Sequence, residues 1–131
     1  MNKDLELKID GGDKLPLIKY LPLENKLIIK GRSIAEYIND FYMKMFNWLD
    51  LYMDHYIDNS ININDKLNII IELEYVNTPS IRMLVSLMKK LNHINCNIIW
   101  YYEEDDETMY DLAFDLMTVT NKTINLVPIY D

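Results

Sequence analysis

The chain is poor in cysteine and in positive charge. Cys96 is the single cysteine among 131 residues, which excludes an internal disulfide and a multi-thiolate metal site and favours a reducing compartment. Acidic residues outnumber basic ones 21 to 13, and the formal net charge is −8 at pH 7. Because such an excess repels phosphate backbones and anionic lipid surfaces, we expect neither nucleic acid nor membrane as a partner.

Long apolar runs are also absent. No stretch reaches the length of about 18 apolar residues that a membrane-spanning helix needs. The opening residues, MNKDLE, lack the apolar segment of a secretory signal. We therefore expect a cytoplasmic protein. Half of the residues are apolar, which is enough to build one core, so we predict a single domain over residues 1–131.

The first third of the chain has the period of β-strands. Apolar and polar residues alternate over residues 5–9, and Gly11–Asp13 then predicts a turn. Residues 17–20 and 26–31 flank a turn-like segment and predict an antiparallel hairpin. The period then changes. Ser33 and Glu36 match a capping box, and apolar residues three and four apart predict a helix from there to residues 58–60, followed by a loop up to Asp65.

Two further strand–helix units and a final strand follow. Residues 67–76 alternate as a strand, and Glu72 and Glu74 on one of its faces indicate that this face of the sheet is exposed to water. The other predicted elements are a helix with Thr78 as its N-cap and Pro79 at its first position, a strand at 98–102, a helix after the acidic run Glu103–Glu107, and an edge strand at 124–127 before Pro128.

This order predicts an α/β fold with a mixed sheet, antiparallel in its N-terminal part, and helices mainly on one face. Strands joined through helices run parallel, so their carboxyl ends share one edge of the sheet. Thr78 and the run Glu103–Glu107 both follow strands at that edge. Open α/β sheets carry their functional groups there.

Few residues suggest catalysis. Cys96 with His93 or His55 would make a thiol–imidazole pair, but small buried cysteines are usually inert packing. The run Glu103–Glu107 lacks the glycine and alternating oxygen ligands of a calcium loop, and a solvated helix start explains it equally well. We predict no catalytic residue, no metal ligand and no cofactor.

Thr78 has two interpretations. As a helix cap it would contribute about 1 kcal/mol to stability and nothing else. As a phosphoacceptor it would gain about −1.5 to −2 charges beside the acidic loop, where repulsion can reshape or block a binding surface. Both roles are compatible, and Ser80 is a competing acceptor. On the residues alone, the helix cap is the favoured interpretation.

Several segments together resemble the SiaC family of bacterial regulatory phosphoproteins. They are Gly31–Ile34, Phe41–Tyr42, Trp48–Leu49, Glu74–Ser80 and Trp100–Met109, in the same order over nearly the whole chain. The resemblance implies a STAS-like fold and a partner switch. It implies that a dedicated kinase phosphorylates a threonine at a helix start, that a metal-dependent phosphatase removes the phosphate, and that the unphosphorylated form activates an effector, which in the family can be a diguanylate cyclase.

The matching acceptor in this chain is Thr78. The sequence departs from the family pattern at Val76, where an aromatic residue is common, and at Pro79, where a small polar residue is common. With the resemblance, we predict phosphorylation of Thr78 and a partner surface around it, formed by Tyr75, Asn77, Ser80, Arg82, Tyr102, Glu103, Glu104, Asp105 and Asp106.

Two other functions remain open on the residues. One is a small acidic enzyme that uses a divalent ion and the carboxylates of the same sheet edge. The other is a constitutive adaptor whose open sheet face, with Glu72 and Glu74, carries the partner.

Overall fold

The computed structural model describes residues 5–58 and 65–130, so residues 1–4 and most of the predicted loop before Asp65 lie outside it. The elements are β1 (Lys8–Ile9), β2 (Leu17–Leu21), β3 (Lys26–Ser33), α1 (Asn39–Ile57), β4 (Leu67–Val76), α2 (Thr78–Lys90), β5 (Cys96–Glu103), α3 (Glu107–Thr120) and β6 (Asn125–Ile129). A 3-10 turn at Leu91–His93 follows α2. Of the helices in the described ranges, none is both long and apolar enough to cross a membrane.

The six strands stand in the sheet in the order in which they occur in the chain. β1, β2 and β3 are antiparallel neighbours, and each strand from β4 to β6 runs parallel to the one before it. β6 forms the edge and includes Pro128, which pairs with Tyr102. The predicted α/β class, with a mixed sheet that is antiparallel at its N-terminal side, is confirmed.

The helices cover one face of the sheet, as predicted. Along β4, Leu67, Ile69, Ile71 and Leu73 are buried, while the residues between them are at least partly exposed. From β3 to β6, each strand lies beside the previous one, always in the same direction across the sheet. Because crossovers between parallel strands are right-handed, crossovers that all run in one direction place their helices on the same face of the sheet. Glu72 and Glu74 lie on the opposite, open face.

The capping box predicted at Ser33 and Glu36 is wrong. Ser33 is the last residue of β3 and is fully buried. It remains in the strand because it pairs with Val76 of β4. α1 begins only at Asn39, and its N-cap, Ile38, makes no side-chain hydrogen bond. Pairing with a strand distant in the sequence has overridden the local helix signal.

A β-bulge near the end of β4 changes which side chains reach solvent. Gly31 pairs with Leu73, but Arg32 pairs with Tyr75, so the register skips Glu74. Gly31 has a φ of 122°, which a residue with a Cβ rarely adopts. Strict alternation would place Tyr75 on the helix face with Leu73, yet Tyr75 is 59% exposed because the bulge redirects it.

Asn25 ties together the other end of the sheet. Its Oδ1 accepts hydrogen bonds from the hydroxyls of Tyr20 at 2.7 Å and Tyr52 at 3.1 Å, and its Nδ2 donates to the Lys66 carbonyl at 3.0 Å. The rings of Tyr20 and Trp48 pack with centroids 4.7 Å apart. Burial, aided by the nearby Tyr52, raises the pKa of Tyr20 to about 12.

We expect the free energy of unfolding to fall as pH rises from about 10 towards 12. Folded Tyr20 keeps its proton up to a pKa of about 12, whereas an unfolded tyrosine loses it near pH 10, so the unfolded state binds fewer protons in this window. Urea unfolding followed by tryptophan fluorescence should show a shallower decline for Tyr20→Phe than for the wild type. Identical declines would contradict this assignment.

Candidate functional site

Thr78 lies where β4 ends and α2 begins. It is the first helical residue, and its side chain is exposed. The acidic loop after β5 reaches the same edge of the sheet, because Asn77 and Asp106 line one groove. The structure thus brings together the two segments that the sequence singled out.

Asn77 caps α2, and the prediction that Thr78 is the N-cap is wrong. Asn77 Oδ1 accepts a hydrogen bond from the Ser80 amide at 3.0 Å, and Asn77 Nδ2 donates to the Ala35 carbonyl at 2.9 Å. The Asn77 amide donates to the Ser33 carbonyl at 3.0 Å. Asparagine is at least as good a cap as threonine, and Pro79 fits the second helical position equally well. The Thr78 hydroxyl has no part in the cap.

Three buried hydroxyls form hydrogen bonds that join the start of α2 to the end of β3 and to α1. The Ser33 hydroxyl donates to Ser80 Oγ at 2.6 Å, and the Tyr42 oxygen lies 2.6 Å from Ser33 Oγ. Since Ser33 has only one proton to donate, Tyr42 is the donor of the second bond. All three residues are fully buried, and burial raises the pKa of Tyr42.

The prediction that Ser80 contributes to the partner surface, or is an alternative phosphoacceptor, is therefore wrong. Its side chain is 0% exposed and its oxygen is already hydrogen-bonded. Ser80 serves the surface only indirectly, by holding the helix start that presents Thr78.

Tyr75 stands out from the open side of the site. The Arg32 guanidinium lies 5.3 Å from the centre of the Tyr75 ring, a cation–π distance. Arg32 Nε also contacts Glu74 Oε2 at 3.2 Å. These exposed contacts contribute little to stability, but they keep the Arg32 guanidinium beside the Tyr75 ring.

A groove of about 660 Å³ opens between α2 and α3. It is lined by Ile34, Glu74, Tyr75, Val76, Asn77, Ile81, Asp106, Thr108, Met109, Asp111, Leu112 and Asp115. Three predicted partner-binding residues, Tyr75, Asn77 and Asp106, share this groove.

The other predicted residues lie around the groove or apart from it. Glu103, Glu104 and Asp105 are exposed in the segment before α3, while Asp106 caps that helix by accepting from the Met109 amide at 3.1 Å. Tyr102 is half-buried against Tyr110, with ring centroids 5.3 Å apart. Exposed Arg82 borders a different depression, formed with Pro79 and Glu36, Tyr37, Ile38, Asn39 and Asp40. In the chain, Thr78 stands between Asn77 on the groove and Pro79 on this depression.

Sequence reasoning missed the α3 side of the groove. Thr108, Asp111, Leu112 and Asp115 follow the spacing i, i+3, i+4, i+7 that marks one helix face. That spacing was visible in the sequence. Two aspartates on an exposed helix face are nevertheless common, and only the position of α2 shows that this face borders a groove.

Metal and thiol chemistry receive little support. In residues 5–58 and 65–130, no group of three or more histidine, cysteine or carboxylate side chains is arranged to hold a metal ion. Burial raises the pKa of the Cys96 thiol, which disfavours the reactive thiolate.

Comparisons with known proteins identify the family and the fold of the chain. A family model described as SiaC family regulatory phosphoprotein matches residues 9–129. No curated protein matches the chain. The crystal structure of apo-SiaC from Pseudomonas aeruginosa is similar with a TM-score of 0.74 at 18% identity, covering 92% of this chain and 97% of that one.

A second similar structure is a chain from the crystal structure of the diguanylate cyclase SiaD in complex with its activator SiaC, also from Pseudomonas aeruginosa. Its TM-score is 0.74 at 18% identity, and the match covers 96% of this chain and 100% of that one. At this identity the likeness to both structures concerns the fold. The family model defines the class of protein, a regulatory phosphoprotein. The chain belongs to the SiaC family.

The assignment of the cap gives a direct test in stability. Asn77→Ala removes the cap of α2 and should lower the free energy of unfolding by about 1 kcal/mol, and by up to about 2. Thr78→Ala, one residue later, should change it by less than about 0.5 kcal/mol because no cap is lost. Urea unfolding of both variants measures the difference. Equal losses, or a larger loss for Thr78→Ala, would restore threonine as the cap.

Proposed function

We propose that the chain is a non-catalytic signalling switch in which reversible phosphorylation of Thr78 controls binding to an effector protein. The observation that carries this proposal is the exposed Thr78 side chain at the first position of α2, next to the asparagine that caps the helix. A kinase can therefore phosphorylate the Thr78 hydroxyl without disrupting the cap of α2. The proposed partners are a dedicated protein kinase, a metal-dependent phosphatase and an effector, all in the cytoplasm.

The class of effector is proposed by analogy. The SiaC in the similar structure is an activator of the diguanylate cyclase SiaD. We extend this to the present chain as a regulator of an enzyme of that class, which would connect it to cyclic di-GMP signalling. Residues near Thr78, namely Tyr75, Asn77, Arg82, Tyr102 and Glu103–Asp106, are the proposed partner surface.

A phosphate on Thr78 would find few local amides. Pro79 has no N–H, the Ser80 amide is held by Asn77 Oδ1, and the Ile81 amide donates to the Asn77 carbonyl at 3.0 Å. The helix dipole still favours an anion at this position. Most of the added charge, about −1.5 to −2, would thus face solvent or another protein and would not be taken up by the helix start.

Arg82 is the cation best placed to respond. It lies four residues after Thr78 on α2, the spacing at which side chains on a helix meet, and it is exposed. Pairing with the phosphate would draw the guanidinium towards position 78 and change its position at the depression that it borders with Tyr37. Phosphorylation would then alter both sides of the helix start together.

The test combines detection of the phosphate with capture of the partner. Protein isolated from its native cells should carry phosphate on Thr78, detected by peptide mass spectrometry. In pull-downs from native lysate, Thr78→Ala and Thr78→Glu should differ at least about tenfold in the amount of effector captured. Thr123→Glu is the matched control, because it adds the same charge at an exposed threonine outside the site.

Three results would contradict the proposal. Phosphate found only on other residues would remove Thr78 as the acceptor. Identical capture by Thr78→Ala, Thr78→Glu and the wild type would remove the switch. Loss of capture in Glu72→Gln, which lies on the open sheet face outside the groove, with no effect at Thr78, would instead favour an adaptor that binds through that face.

A further inference from the structure

We infer that the groove between α2 and α3 is the docking site for an amphipathic helix of the effector that carries lysine and arginine along one side of an apolar stripe. The inference rests on the proposed function and adds to it the chemistry of the partner segment. Its support comes from the floor of the groove, the charge of its rim and the spacing of the residues along α3.

The floor of the groove is apolar and part of it is left uncovered. Val76 and Leu112 pack against the hydrophobic core, and Met109 belongs to it. Ile34 and Ile81 line the groove without belonging to that core, and Ile34 is 37% exposed. Aliphatic side chains that line a groove and lie outside the core are suited to receive apolar side chains of a partner.

The described residues at the rim of the groove carry charge of one sign. Four of them are acidic, Glu74, Asp106, Asp111 and Asp115, and none of the described lining residues is lysine, arginine or histidine. Glu74 is paired with Arg32, and Asp106 caps α3. Asp111 and Asp115 are exposed and, within the described residues, form no ion pair. A basic partner would neutralise them, whereas an acidic one would be repelled.

The spacing of the rim fits a second helix. Asp111 and Asp115 are one turn apart on α3, and Thr108 and Leu112 continue the same face. A helix laid along the groove repeats its side chains with the same rise of about 5.4 Å per turn, so that its apolar stripe can meet the floor while its basic flank meets the aspartates.

The test uses a synthetic probe and the unphosphorylated full-length chain. The probe is a fluorescein-labelled peptide of about five helical turns, with leucine at helical spacing and lysine along one flank, to match the aspartates of α3. Two companion peptides carry glutamate in place of lysine, or the same residues in scrambled order. Fluorescence anisotropy should show saturable binding of the lysine peptide, weakened by salt, and much weaker binding of both companions.

Protein variants then locate the binding site. Asp111→Asn/Asp115→Asn should weaken the lysine peptide about three- to tenfold. The control Asp13→Asn/Asp54→Asn makes the same change in net charge at exposed carboxylates outside the groove and should have little effect. Ile81→Ala should also weaken binding severalfold, while urea unfolding verifies that the variant remains folded.

Three outcomes would overturn the inference. They are no saturable binding of the lysine peptide, equal binding of the glutamate or scrambled peptide, and equal losses in the groove variant and its charge-matched control. None of these concerns phosphate on Thr78 or capture of the native effector. Failure of the groove and failure of the switch can therefore be told apart.

Discussion

The hydrogen bonds of Asn77 are the constraint on which the site depends. Through its amide, its side-chain nitrogen and its side-chain oxygen, this residue joins the end of β3, the segment before α1 and the start of α2. The buried hydroxyls of Ser33, Tyr42 and Ser80 complete the junction beneath it. Because buried polar groups are costly unless paired, these contacts specify one position for the helix start. The Thr78 side chain can face solvent because Asn77 and Ser80 form the contacts of this junction.

The topology explains why this junction lies at an accessible edge. Within residues 5–58 and 65–130, the sheet adds one strand at a time in one direction from β3 to β6, so the described strands have no point at which their order reverses. The helices consequently form a single layer, and their N-terminal ends follow the carboxyl ends of the parallel strands. Regulation at such an edge needs no catalytic pocket, since a hydroxyl on the first turn of a helix is reached directly from solvent.

The negative charge around the site determines which partners it attracts. The chain carries a net charge of −8, and the described residues that line the groove beside Asn77 include four carboxylates and no cationic residue. A phosphate on Thr78 would be added to a surface that is already acidic, with Arg82 as the cation at helical spacing. The proposed phosphorylation would therefore change the electrostatic potential of this surface. The proposed docking groove would use the same negative potential to attract a basic partner.

The sequence by itself determined the order of strands and helices, the parallel part of the sheet and its open face, the edge on which Thr78 and the acidic loop lie, and the family. These features follow from periodicity, chain connectivity and motifs, which are local. Only the tertiary structure decided that β3 extends to Ser33, that Asn77 caps α2, that Ser80 is buried, that a bulge turns Tyr75 outwards and that α3 borders a groove. Each of these depends on a partner distant in the sequence, whose register and packing no local pattern can specify.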